Sequence, residues 1–165
     1  QLKKDNPLEK LIGDNAIHAW LEEAIITAQT REAKLIKLLQ EKYDDQELLS
    51  EVYYKNGVQA AKTNKQDEQE SDLKATFELL NNNFLERMPC DRLSSVTSEN
   101  ENELIWQHDK SLHTEFWQQV DVSLDLMHEL YSKWIKGFIS TINANISHSR
   151  VINDHNYKDV FILKN

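Results

Sequence analysis

From Leu112 to Ile142 the apolar residues keep step: Leu112, Phe116, Val120, Leu124, Met127, Tyr131, Trp134, Phe138 and Ile142 fall three or four positions apart. An α-helix with one buried face produces that stride, whereas a strand with one buried face alternates every second residue. The mean step lies close to the 3.6 residues of a straight helix and not to the 3.5 of a supercoil. A continuous helix over 104–146 would be about 60 Å long at a rise of about 1.5 Å per residue. One small core does not need that length. The pattern therefore predicts a helix broken at Gly137, or a long rod with a partner along it.

Three glycines and two prolines in 165 residues point the same way, because tight-turned sheets consume both residue types and long helices exclude them. A first helix is expected to open at Asp14 or Asn15 and run to about Tyr43, with a seam of Ile17, Leu21, Ala24, Ala28, Leu35 and Leu38 interrupted by Arg31. Asp44 and Asp45 cap a second helix carrying Leu48, Leu49, Val52 and Tyr53, with Gly57 ending or weakening it. Leu73, Phe77, Leu80 and Phe84 define a third, stopped near Met88 and Pro89. The expected fold is all-α: an elongated antiparallel bundle of three to four main helices with a long C-terminal helix as its spine.

Residues 1–165 read as a single helical domain. KTNKQDEQES (62–71) lacks any apolar residue, and PCDRLSSVTSENENE (89–103) is polar and acidic, so both are expected to be mobile linkers and the second a place for phosphorylation. The apolar stride ends at Ser147. Ser147, His148 and Arg150 are expected to cap the helix, and residues 148–165 to form a C-terminal tail with YKDVFILKN as a short strand or a last helical turn.

Charge and cysteine content narrow the partners. With 28 acidic against 19 basic residues the net charge is −9, and no dense Lys/Arg run is present, which argues against generic nucleic-acid binding. A lone cysteine, Cys90, allows no internal disulfide and suits a reducing compartment, hence an intracellular, cytoplasmic or nuclear setting. No apolar run approaches the roughly 18 to 20 residues that span a bilayer, so no membrane association is expected.

One stretch has the residue types of a catalytic site. In SHSRVINDHNY, Arg150, His155 and Tyr157 are spaced Arg-x4-His-x-Tyr. The spacing resembles the motif of the HEPN superfamily, helical-bundle proteins that include the RNase toxins of bacterial toxin–antitoxin pairs. That resemblance implies a composite ribonuclease site across two protomers, with His155 moving a proton from a 2′-hydroxyl and Arg150 holding the phosphate. Val151 departs from it, standing where the family has a polar residue. Other constellations are incomplete. Asp125 and His128 place a carboxylate and an imidazole on one helical face, but no second such motif exists to complete a di-iron site. Cys90 has no histidine near it in sequence, and the glycines at 13, 57 and 137 are too scattered for a phosphate loop. No cofactor is expected.

Trp106, Phe116, Trp117 and Trp134 are the candidate partner-binding residues, since adjacent Phe116 and Trp117 cannot both face one narrow seam. The expected function is a non-enzymatic protein–protein interaction or assembly module, binding another helical protein or itself as a homo-oligomer. A HEPN-like ribonuclease, or an inactive relative, is the alternative.

Overall fold

The computed structural model describes residues 17–64, 72–85, 92–109, 111–153 and 156–164. Helices α1 (Ile17–Tyr43), α2 (Gln46–Asn64) and α3 (Leu73–Asn81) come first. Strands β1 (Ser94–Glu99) and β2 (Glu103–Asp109) then form a hairpin. Helices α4 (Ser111–Gln119) and α5 (Leu124–Ile142) follow, and a second hairpin of β3 (Ile146–Ile152) and β4 (Asn156–Leu163) completes the described chain. The two hairpins join through β2 and β4 into one antiparallel sheet ordered β1-β2-β4-β3. The fold is α+β, which overturns the expected all-α helical bundle. Among the described residues no helix is long and apolar enough to cross a membrane.

The scarcity of glycine misled because asparagine makes these turns. Asn100 Oδ1 accepts from the backbone N–H of Asn102 at 3.0 Å and of Glu103 at 2.9 Å, so an Asx turn joins β1 to β2. Asn153 donates its backbone N–H to the Asn156 carbonyl at 2.8 Å where β3 meets β4. Asn143 Oδ1 accepts from Asn145 N–H at 2.8 Å where α5 passes into β3.

The rod expected over 104–146 is a strand and two helices. In β2 the side chains of Leu104, Trp106 and His108 are buried, in the two-residue alternation of a strand. The helical break falls after Gln119, where Asp121 takes a left-handed φ of 56° and Ser123 caps α5 by accepting from Leu126 N–H at 3.3 Å. It does not fall at Gly137. Likewise 62–64 belong to α2 and 94–99 to β1, and the stretch read as a tail supplies β3 and β4. Residues 65–71 and 86–91, with Cys90, lie outside the described residues.

Gly57 and Gly137 sit in the interiors of α2 and α5, where these helices cross. A Cβ on Gly57 would run into the Trp134 carbonyl oxygen, and one on Gly137 into the Tyr54 carbonyl oxygen. The two helices are in backbone contact, each using its glycine to admit the other. Their interface is the most extensive between any two elements.

Beneath this crossing, α5 sets Ile135, Phe138, Ile139 and Ile142 against the inner face of the sheet, where Leu104, Trp106, Phe161 and Ile146 complete a core with Phe77 and Leu80 of α3. The outer face carries Glu103, Gln107, Ser147, Ser149 and Lys158, which separate Ile105, Val160, Val151 and Ile162, as on an antiparallel sheet covered on one side. A second core lies towards α1 and α4, with Ala33, Ile36, Phe116, Trp117 and Met127.

Alanine favours a helix over glycine by about 1 kcal/mol. The crossing reverses that sign: Gly57→Ala and Gly137→Ala should each destabilise the chain by about 1 to 3 kcal/mol in chemical denaturation. Unchanged or raised stability would show that the two backbones do not touch.

Candidate functional site

Two polar groupings stand out among the described residues, and their electrostatics differ. The first lies on the inner face of the sheet. Strand alternation brings His108 of β2, His148 and Arg150 of β3, and Tyr157 and Asp159 of β4 to that face, with Arg150 directly opposite Asp159. The Asp159 side chain is fully buried, and Arg150 grips it bidentately, Nε to Oδ1 at 2.9 Å and Nη2 to Oδ2 at 2.8 Å. His148 Nε2 lies 2.7 Å from Oδ1 and His108 Nε2 3.1 Å from Oδ2. Burial alone would push the Asp159 carboxyl up. The charge of Arg150 and the bonds from His108, His148 and Arg150 outweigh it and hold the group well below the usual carboxylate range. With Asp159 ionised and able only to accept, His148 donates through Nε2.

The hub extends through rings. Arg150 stacks on Tyr157 at 4.5 Å, and Tyr157 lies parallel to His108 at 4.4 Å and edge-on to His128 at 4.9 Å. His128 in turn meets Trp117 at 5.0 Å. These contacts bind three strands to α5 around one negative charge.

Arg150 and Tyr157 therefore stand on neighbouring strands, not at a helix end, and the Arg150 side chain is 4% exposed with its guanidinium committed to Asp159. A phosphate has no access to it. His155 lies outside the described residues. Asp125 is exposed while His128 is buried, so these two do not converge, and among the described residues no three His, Cys, Asp or Glu side chains are placed to hold a metal ion.

The second grouping lines an open cleft of about 480 Å³ between α1 and α2. Its walls are Leu35, Ile36 and Leu39 of α1 and Leu49, Val52 and Asn56 of α2, closed at one end by Asn83, Phe84 and Leu85, with Tyr53, Tyr131 and Trp134 as aromatic lining. The cleft exists because α2 is pinned to α5 while α1 packs against α4. Asp44, in a left-handed φ of 48°, turns the chain between α1 and α2, and Asp45 caps α2 through Leu48 N–H at 2.8 Å.

Among the described residues, Glu32 is the only charged one in this lining. It accepts from the Tyr53 hydroxyl at 2.6 Å and from the Tyr131 hydroxyl at 2.6 Å. Burial first, then the Glu32 charge and these hydrogen bonds, raise both hydroxyls above the ordinary phenol range, so both remain protonated donors. Trp134 Nε1 donates to Asn56 Oδ1 at 2.7 Å.

Of the four aromatic residues singled out by sequence, Trp106, Phe116 and Trp117 are buried in the two cores. Trp134 alone reaches the cleft. Glu32, Tyr53 and the Asp159 hub escaped sequence reasoning. One signal for Asp159 was available: in NYKDVFIL it takes the place of an apolar residue in the alternation Tyr157, Asp159, Phe161. Compared with models of protein families, with curated proteins and with solved structures, the chain matches none.

Removing the carboxylate charge by Asp159→Asn strands the Arg150 guanidinium in the interior and should cost about 3 to 5 kcal/mol at neutral pH. Because the folded carboxyl titrates below its unfolded value of about 3.9, its stabilisation is complete above about pH 5 and is lost as pH falls through the lower, folded value. Denaturation at neutral and acid pH should show wild type converging on Asp159→Asn under acid. A constant gap would refute the buried ion pair.

Proposed function

We propose that this chain is a non-enzymatic interaction module and that it docks an amphipathic helix of a partner protein in the cleft between α1 and α2. One observation carries this reading: large apolar side chains stand in solvent in the cleft wall (Leu35, Val52, Leu85) and one helical turn from it (Leu38, Leu48). Leu35 is 55% exposed, Leu38 62%, Leu48 51%, Val52 52% and Leu85 51%. Leu38 lies one turn beyond Leu35, and Leu48 one turn before Val52, so each pair shares a helical face. The buried line of α1 is Gln29, Ala33 and Ile36, while Leu35 and Leu38 of its expected seam point outward.

An aromatic-floored cleft with aliphatic walls on two helices suits a helix that inserts side chains at i, i+3, i+4 and i+7. A free small molecule of the cleft's volume would leave Leu38 and Leu48, which do not line it, uncovered. A second copy of the chain is disfavoured as occupant, because two chains of net charge −9 repel. The lone cysteine supports an intracellular setting as part of this proposal. The ribonuclease alternative is not carried forward, since Arg150 is occupied by Asp159.

Selection of a displayed library of amphipathic helical peptides against the purified chain tests the reading. Retained sequences should show the i, i+3, i+4, i+7 apolar spacing, and Val52→Asp should weaken them by more than about tenfold while changing stability by less than about 0.5 kcal/mol. Retention of no helical sequence, or equal binding to Val52→Asp, would overturn it.

A further inference from the structure

We propose that Glu32 is the recognition carboxylate of the cleft and takes a lysine or arginine side chain carried on the apolar face of the docked helix, an assignment that rests on the docking function above. Glu32 is half-buried on α1, and each of its oxygens accepts from one neutral tyrosine hydroxyl. Among the described residues it forms no ion pair with a Lys, Arg or His side chain. An ionised carboxylate has about four lone-pair sites. Two tyrosines hold the group in one orientation and leave acceptor capacity on both oxygens. Asp159 shows the contrast, with a guanidinium and two imidazoles already on it.

The surroundings favour a cation. Tyr53, Phe84, Tyr131 and Trp134 line the same cleft as Glu32, with Phe84 5.7 Å from Tyr131 and 5.5 Å from Trp134 between ring centres. Aromatic faces attract ammonium and guanidinium groups, and the aliphatic stem of a lysine or arginine packs on the flanking leucines. The chain's net charge of −9 steers a basic partner towards it. The exposed apolar rim places that cation on a helix and not on a free amine.

The test uses two fluorescent amphipathic peptides of about 18 residues. They are identical except for one central residue of the apolar face, lysine in one and norleucine in the other. Binding is read by anisotropy with wild type, Glu32→Gln and Val52→Asp. Wild type should prefer the lysine peptide by about tenfold, Glu32→Gln should shrink that preference to within about twofold, and Val52→Asp should lose both peptides. If wild type binds both peptides equally, or Glu32→Gln keeps the full preference, the Glu32 assignment falls and the docking function stands. If neither peptide binds wild type, or both bind Val52→Asp unchanged, the docking function falls and the assignment with it. The decisive comparison varies the peptide against wild type, so it does not depend on how the Glu32 variant folds.

Discussion

The crossing of α2 and α5 at backbone contact distance governs the rest of the structure. Gly57 and Gly137 provide it, since a side chain at either position would collide with a carbonyl of the other helix. α2 packs chiefly on α5 and α1 on α4, while α1 and α2 meet only in part, through Ile36 and Leu49 and the Tyr53–Glu32 hydrogen bond. The space left between α1 and α2 is the cleft, and its floor includes Tyr131 and Trp134 of α5. The opposite side of α5 seals the sheet through Ile135, Phe138, Ile139 and Ile142. One helix thus separates a closed core from an open groove.

Two carboxylates mark that division. Asp159 lies in the closed half, where taking a charge out of water is tolerable only because Arg150, His148 and His108 surround it. Its partners come from β2 and β3 and it stands on β4 itself, so it fixes which face of each of these three strands points inward. Glu32 lies in the open half, held by neutral hydroxyls from α2 and α5. Asp159 is electrostatically complete and built for stability. Among the described residues Glu32 has no cationic partner, and exposed leucines stand in the same cleft, as the proposed recognition role requires.

The helices could be read from sequence because their signals are local. Met127, Tyr131, Phe138 and Ile142 keep the stride as buried residues of α5, Asp45 caps α2, and Leu73, Phe77 and Leu80 are buried on α3. Of the sheet only β4 was anticipated, as the strand alternative for YKDVFILKN, and the rest was hidden for two physical reasons. Asn100 and Asn153 close its hairpins where glycine was sought, and the inner face of the sheet interrupts its apolar alternation with His108, His148, Arg150 and Asp159. A buried salt bridge is satisfied by residues distant in sequence, so each member in isolation resembles a surface residue. The glycines misled for a related reason: a helix tolerates glycine where another backbone needs the room, and no local pattern announces that neighbour. The cleft was hidden likewise, since Leu35 and Leu38 have the spacing of a buried seam and lie exposed.

Site-directed photo-crosslinking tests the central claim most directly. A benzophenone amino acid is placed at position 52, on the rim of the cleft, or at position 151, an exposed position on the outer face of the sheet. Each chain is irradiated with a labelled amphipathic helical peptide. The structure predicts adducts from position 52, competed away by unlabelled peptide, and none from position 151. Adducts from position 151 alone, or equally from both, would mean that the α1–α2 cleft is not the docking surface.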